Sequence, residues 1–194
     1  MLFKFIINRR FLANFAPRKH QLLCYNKRMD HKKFMEIALK EAWQAFQEDE
    51  VPVGACLVKN GQIVSCGHNR REKLQDVTSH AEIETIRKAS QELGTWRLEN
   101  CILYVTLEPC PMCAGAIIQA RIHKVYFGAR DPKAGAAGSK INLFQPGLFN
   151  HTTEIEGGLL AEKCSQILKQ YFKIKREQSG EVAELDEGAR LEIE

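Results

Sequence analysis

The stretch CILYVTLEPCPMCAGAIIQAR, residues 101–121, decides the fold class. Its first part, residues 101–107, is rich in β-branched and aromatic side chains, which favours a short strand. The run stops at EPCPMC, and the small and apolar residues of AGAIIQAR that follow favour a helix. A strand that leads directly into a helix is typical of α/β proteins, in which helices pack against a sheet.

The flanking segments continue this alternation of strands and helices. VGACLVKNGQIVSCG, residues 53–67, holds two apolar runs around Asn60-Gly61, which is the strongest short signal for a β-hairpin. Further along the chain we predict a helix from about Ala81 to Glu92, a strand at 124–129 and a Gly-rich loop at 130–151. The pattern predicts an α/β domain with helices packed against one sheet.

Two amphipathic helices are predicted to bound the domain. The first lies in MDHKKFMEIALKEAWQAF, where an amphipathic helix with an apolar stripe is outlined by Phe34, Ile37, Ala38, Glu41, Ala42 and Phe46. The second lies in AEKCSQILKQYFKIKR, with an inner side predicted to hold Cys164, Ile167, Leu168, Tyr171 and Phe172. We therefore expect a single domain over residues 30–176.

Two charged tails flank this domain. Residues 1–29 hold seven Lys/Arg and no acid, and residues 177–194 hold seven acids and one Arg. We expect both tails to be disordered. The basic leader is either an organellar transit peptide or the product of a start placed upstream of Met29, which predicts an organellar or a cytoplasmic protein respectively.

Composition excludes several classes of protein. The chain has 194 residues, of which 44% are hydrophobic, which is enough to form a core. Its seven cysteines are odd in number and dispersed, which favours a reducing compartment. No apolar run approaches the ~18 residues of a membrane span, so a soluble protein without membrane contact is expected. Residues 30–176 hold 20 basic and 17 acidic residues, so any basic patch must be local.

Three potential metal ligands lie at the starts of two predicted helices. His80 and Glu82 belong to TSHAEIETIRKA, and Cys110 and Cys113 are predicted on the first turn of the helix after EPCPMC. One imidazole and two thiolates form a three-ligand zinc site whose fourth position stays open, as in catalytic sites. Zinc lowers the pKa of a bound water, and Glu82 is placed to carry the proton.

Other interpretations of these residues are more ordinary. A Cys-x-x-Cys pair also occurs in redox sites and as half of a four-cysteine zinc ribbon, and a zinc ion can have a purely structural role. The chain has no second Cys-x-x-Cys, and a structural site has no use for Glu82. We interpret the cysteines that occur singly within apolar runs as buried structural thiols: Cys56, Cys66, Cys101 and Cys164.

The combined pattern resembles the zinc-dependent nucleoside and nucleobase deaminases, whose signature is H-x-E followed by P-C-x-x-C. Within that superfamily the chain resembles the TadA-type tRNA adenosine deaminases in EDEVPVGACLV, HNR, TSHAEI, LYVTLEPCPMCAGA and FGARDPKAGAAGS. The resemblance covers residues 30–176. It implies a cytidine-deaminase-like three-layer α/β fold, with a central mixed β-sheet and helices on both faces.

The resemblance also implies an activity. His80, Cys110 and Cys113 match the family's zinc ligands, and Glu82 matches its catalytic proton shuttle. The reaction of the family is zinc-dependent hydrolytic deamination of adenosine to inosine at the wobble position of the tRNA anticodon, with the target base flipped out of its stack. A homodimer that binds the anticodon arm of tRNA is implied as well.

Substrate contacts are implied less directly. Asn69 in GHNR matches a pocket residue, and Asn150 in LFNH matches another substrate contact. The loop GARDPKAGAAGS matches the RNA-facing loop of the family and brings Arg130 and Asp131 toward the substrate. The main alternative is a small-molecule deaminase of cytosine, cytidine or guanine, which shares the same metal ligands.

Overall fold

The fold was obtained as a computed structural model, and it describes residues 29–179. The predicted acidic tail lies largely outside this range, and the predicted basic leader lies outside it apart from Met29. The domain limits at 30 and 176 therefore stay predictions. The last helix continues to Ser179, three residues beyond the predicted end of the domain.

Five helices and five strands alternate along the described residues. The helices are α1 (His31–Gln47), α2 (Arg71–Leu74), α3 (Ala81–Glu92), α4 (Pro111–Gln119) and α5 (Ala161–Ser179). The strands are β1 (Gly54–Lys59), β2 (Gln62–His68), β3 (Cys101–Leu107), β4 (Lys124–Ala129) and β5 (Glu154–Gly157).

The strands form one mixed sheet in the order β2-β1-β3-β4-β5. β1 pairs antiparallel with both β2 and β3, whereas β3 pairs in parallel with β4, and β4 with β5. The β1–β2 hairpin turns at Asn60 (φ 52°) and Gly61 (φ 73°). The favoured type I′ two-residue turn requires a positive φ at both central residues, and Asn-Gly is the pair that adopts it most readily. The hairpin predicted from Asn60-Gly61 is therefore confirmed.

Each face of the sheet carries its own layer of helices. Side chains of Leu57, Leu103 and Val105 pack on one face against α3 and α4, in a core that includes Ala81 and Ile117. The intervening residues point to the opposite face and pack against α1 and α5, in a core that includes Cys56, Val58, Tyr104, Met35 and Cys164. The alternation follows from the two-residue period of a strand. The predicted three-layer fold with helices on both faces is confirmed.

Two short elements and one side chain differ from the sequence prediction. The four-residue helix α2 and the four-residue strand β5 were not predicted, because segments this short carry too few residues to show a period. Phe172 was predicted on the inner side of α5 but is 44% exposed, whereas its neighbour Tyr171 is buried. Consecutive residues of a helix point about 100° apart, so both cannot face the sheet.

None of the helices in the described range is both long enough and apolar enough to cross a membrane.

Gly54 tests how closely α1 packs on the sheet. A Cβ at this position would lie 2.1 Å from the carbonyl oxygen of Ala38 and 2.3 Å from the backbone nitrogen of Ala42. We expect Gly54→Ala to lower the free energy of unfolding by about 1–3 kcal/mol, since the helix backbone must move away.

Gly115→Ala is the control, because a Cβ there meets no described atom within 4 Å. It should be neutral or raise stability by up to about 1 kcal/mol, because alanine favours a helix interior. Denaturant titration measures both, and equal effects would contradict the packing.

Candidate active site

The candidate site is a cavity of about 170 Å³ beside the carboxyl end of β3. Its lining includes His80, Glu82 and Cys110 together with Asn69 and Asp131, and Cys113 lies beside it. In α/β sheets, ligands commonly bind beyond the carboxyl ends of parallel strands, where loops and helix N-termini meet. The topology therefore brings together residues that lie up to 62 positions apart in the sequence.

Helix starts position the three candidate metal ligands. His80 is the N-cap residue of α3 and Cys110 is the N-cap residue of α4, both with extended backbone, while Cys113 lies one turn into α4. Cys110 thus precedes the helix instead of lying on its first turn as predicted, because Pro111 occupies the first helical position, where proline is favoured. His80 Nδ1 is 3.6 Å from Cys110 Sγ and 3.5 Å from Cys113 Sγ.

The donor set fits zinc. The three ligand atoms lie within 4.8 Å of one another. A tetrahedral zinc ion with Zn–S distances of about 2.3 Å and Zn–N of about 2.0 Å separates its ligands by roughly 3.5 Å, close to the spacing observed here. Two sulfurs and one nitrogen leave one position of a tetrahedron for water or substrate, as in a catalytic site.

The electrostatics of the group favour a thiolate at Cys110. A hydrogen bond donated by the Cys113 thiol, supported by one donated by the His80 ring, lowers the pKa of Cys110 to about 4. The same interaction raises the pKa of Cys113, and burial raises it further. The Cys110 thiolate in turn raises the pKa of His80. A cluster that already stabilises one sulfur anion is suited to a divalent cation.

Glu82 lies on the first turn of α3, beside the ligand cluster. Its side chain is buried, and desolvation raises its pKa to about 7, with the Cys110 thiolate adding to the increase. A carboxyl group with such a pKa both accepts and releases protons near neutral pH. Burial in a cleft beside a charged partner is typical of catalytic carboxyl groups. The predicted proton carrier therefore lies in a suitable environment.

The first wall of the cavity is the segment after β2, which contains Asn69. Asn69 is buried, and its Nδ2 donates a hydrogen bond of 3.0 Å to Glu50 Oε2. The Glu50 carboxylate also accepts the backbone N–H groups of Glu72 at 3.2 Å and Lys73 at 2.6 Å. Glu50 thus fixes both Asn69 and helix α2.

The opposite wall is the loop after β4, from Asp131 to Ser139. Asp131 and Ala134 line the cavity. The buried Glu108 carboxylate accepts the backbone N–H groups of Asp131 (3.1 Å), Ala137 (2.9 Å) and Ser139 (3.0 Å), and the Ser139 hydroxyl also donates to it. Burial acts to raise the pKa of Glu108, but these hydrogen bonds outweigh burial and hold its pKa below the ordinary value.

Two predicted substrate contacts lie away from the cavity lining. Arg130 is exposed, with its guanidinium carbon 5.9 Å from the centre of the Phe127 ring. Asn150 is exposed as well, and its backbone carbonyl accepts a hydrogen bond of 2.9 Å from Arg121 Nη1. Their roles in substrate binding stay predictions, whereas Asn69 and Asp131 do line the cavity.

Sequence reasoning missed Glu50 and Glu108. Both are buried carboxylates that hold cavity walls through backbone N–H groups. A usable signal existed, since each acid lies next to an apolar run, in EDEVPVG and VTLEPC, where an ionised side chain needs buried partners. Those partners are backbone groups far along the chain, which have no sequence pattern.

Comparison with known proteins identifies relatives of this chain. Residues 28–129 match the family described as the cytidine and deoxycytidylate deaminase zinc-binding region. A tRNA-specific adenosine deaminase of Bacillus subtilis is 51% identical over 140 residues, which cover 72% of this chain and 87% of that protein.

Solved structures of deaminases also resemble this chain. One from a study of A-to-I editing by tRNA:A34 deaminases at the wobble position is 48% identical and covers 71% of this chain and 100% of its own, with a TM-score of 0.68. A guanine deaminase from Bacillus subtilis is 34% identical and covers 77% of this chain and 95% of its own, with a TM-score of 0.52. The chain therefore belongs to the cytidine and deoxycytidylate deaminase family and, within it, to the tRNA-specific adenosine deaminases.

Proposed function

We propose that this protein catalyses the zinc-dependent hydrolytic deamination of adenosine to inosine at the wobble position of the tRNA anticodon. The observation that carries the proposal is the convergence of His80, Cys110 and Cys113 beside the buried Glu82 in one cavity. The substrate is supported by the chain's identity with tRNA-specific adenosine deaminases.

The residues divide the work between metal binding and proton transfer. His80, Cys110 and Cys113 would hold a zinc ion, which would supply Lewis-acid chemistry that activates water near neutral pH. Glu82 would take up a proton from the attacking water, deliver one to N1 of the adenine ring and assist the departure of the amine. One water is consumed for each adenosine, and inosine and ammonia are the products.

The walls of the cavity position the base. A deep cavity of about 170 Å³ cannot admit a paired base, so the target adenosine must be unstacked and turned out of its loop. We propose that Asn69 and Asp131 contact the inserted nucleoside and that Arg130 and Asn150 contact the surrounding RNA. Anticodon loops present unpaired bases suited to this recognition.

A small-molecule deaminase is the alternative function. The specific observation in its favour is the similarity to the guanine deaminase described above. Its sequence identity of 34% is higher than proteins that share only a fold usually show. The metal ligands and the general acid–base group would serve either substrate, so zinc content does not distinguish the two.

Substrate preference is the first prediction of the proposed function. An RNA stem-loop with an adenosine at the wobble position should be converted far faster than free adenosine, cytidine or guanine, because contacts outside the base support turnover. Product formation is measured by chromatography of the nucleosides. A stem-loop with the target adenosine paired in the stem is the control and should be inert. Rapid release of ammonia from guanine or cytidine, with no reaction on RNA, would favour the alternative.

The zinc ligands give a second prediction. His80→Ala, Cys110→Ala and Cys113→Ala should each lose bound zinc and activity, since a three-ligand site has none to spare. Cys101→Ser is the matched control, because this buried thiol lies at the far end of β3, and it should keep one zinc per chain. Metal content is measured by atomic emission. Full zinc occupancy in all three ligand variants would contradict the assignment.

Glu82 gives a third prediction, which separates chemistry from metal binding. Glu82→Gln keeps the shape of the side chain but cannot carry a proton, so turnover should fall about 10²- to 10⁴-fold with zinc retained. Glu84→Gln is the control, since Glu84 is also buried on α3 but pairs with Arg87 at 2.7 Å and does not line the cavity. Near-parental turnover by Glu82→Gln would exclude Glu82 as the proton carrier.

We further propose that the protein is a homodimer and acts in the cytoplasm. Exposed apolar side chains between β4 and β5 support an interface: Ile141, Leu148 and Phe149. Light scattering measures the mass of the particle. The basic leader would direct the protein to an organelle if it is a transit peptide, and a fusion of residues 1–28 to a fluorescent reporter distinguishes these locations.

A further inference from the structure

The loop from Asp131 to Ser139, here called the wall loop, has few side chains with which to fix its own shape. It contains three alanines and two glycines, and of the alanines Ala134, Ala136 and Ala137 only Ala136 is fully buried. Small side chains bury little area, so packing alone contributes little to its order. Its position beside the cavity must come from other interactions.

Glu108 supplies several of those interactions, beside backbone hydrogen bonds such as the one from the Ala136 N–H to the carbonyl oxygen of Pro109 at 2.8 Å. Its two oxygens accept four hydrogen bonds from the wall loop, two on each oxygen, and three of the four come from backbone N–H groups. Such bonds to a buried carboxylate are roughly twice as strong as neutral ones. They engage both ends of the loop, so one side chain links Asp131 to Ser139.

Gly135 shows that the loop is shaped around this carboxylate. A Cβ at Gly135 would lie 2.5 Å from the carboxyl carbon of Glu108 and 2.6 Å from the carbonyl oxygen of Asp131. The carboxyl group therefore occupies the space that a side chain at this position would need. Any larger residue must displace either Glu108 or the loop.

The wall loop and its flanks are positively charged on the outside. Arg130, Lys133 and Lys140 are exposed. The Asp131 carboxylate is engaged within the loop, accepting the backbone N–H groups of Lys133 at 2.9 Å and Ala134 at 3.2 Å. Cations at the rim of a cavity attract the phosphates on either side of an inserted nucleotide, whereas a free nucleobase has no phosphate to bind.

We infer that Glu108 is a positioning residue that holds the wall loop, so that its cations contact the RNA phosphates that flank the target nucleotide. Glu108 thereby makes the site favour RNA over free bases. The inference rests on the proposed function, because it takes RNA as the substrate. Glu108 lines the cavity as well, but in this scheme its carboxylate is engaged by the wall loop and acts on the substrate through that loop.

Three variants and one control test this role. Glu108→Gln replaces one acceptor oxygen by an N–H₂ group that faces the donors of the loop, and Gly135→Ala disturbs the same contact from the other side. Ser139→Ala removes only the hydroxyl donor and is the gentlest change. Glu99→Gln is the control, because it makes the same chemical change at the opposite, exposed end of β3.

Two measurements report on the wall loop in addition to the turnover rate. Trypsin cleavage after Lys133 measures how often the wall loop opens. The dependence of KM on salt concentration, measured with the stem-loop RNA, counts phosphate contacts, since each lost contact makes the logarithmic slope shallower by roughly 0.7–0.9. Zinc content and melting temperature are measured in parallel.

For Glu108→Gln and Gly135→Ala we expect cleavage after Lys133 and KM for RNA each to rise about tenfold, the effect of losing one charge-assisted hydrogen bond. The salt slope should become shallower, kcat should change less than threefold and zinc should be retained. Ser139→Ala should show a smaller change in the same direction. Glu99→Gln should match the parent.

Unchanged cleavage and unchanged KM in the Glu108 and Gly135 variants would overturn the inference. A fall in kcat with loss of zinc would also overturn it, since Glu108 would then act on the adjacent Cys110. If Glu108→Gln fails to fold, Gly135→Ala and Ser139→Ala decide the question by the same measurements. A parent protein that does not deaminate RNA refutes the proposed function, whereas an active parent with an unaffected Glu108→Gln variant refutes this inference alone.

Discussion

The parallel pairing of β3 with β4 is the constraint on which the site depends. Residues Ile102 to Leu107 align with Lys124 to Ala129, so both strands end at the same edge of the sheet. The chain leaves β3 into α4 through Cys110, and it leaves β4 into the wall loop. Helix α3 packs on the same face and presents His80 at this edge. A shift of one residue in this register would invert every side chain of β3 and separate the ligands.

Three carboxyl groups are buried at this edge, and their surroundings give them different properties. Glu50 and Glu108 each accept backbone N–H groups and act as structural anchors. Desolvation dominates at Glu82, and its pKa rises to about 7, whereas hydrogen bonds hold the pKa of Glu108 below the ordinary value. A buried carboxylate that is fully solvated by N–H donors stays ionised and fixed. A buried carboxyl group without such donors, like Glu82, exchanges protons near neutral pH, so the environment separates the candidate catalytic group from the anchors.

The sequence predicts those parts of the structure that depend on neighbouring residues. The bounds of α3, β3 and β4 agree with the strand and helix patterns, and the hairpin follows from Asn60-Gly61. The ligand positions are recognisable because each lies at the start of a predicted helix. β5 escaped prediction because its four residues, EIEG, acquire their strand conformation from pairing with β4. The anchoring roles of Glu50 and Glu108 depend on backbone partners 22 to 31 residues away, which no local pattern encodes.

Chemistry and recognition are supported by different parts of the fold. The candidate metal ligands and Glu82 lie at the N-termini of helices that pack directly on the sheet, so their geometry changes only if the core changes. The walls of the cavity are loops held by a buried carboxylate each, together with backbone hydrogen bonds. Loops can change in sequence and length without cost to the core, which lets one fold serve several substrates. A deaminase of this architecture can therefore acquire a new substrate by altering its walls while keeping its metal centre.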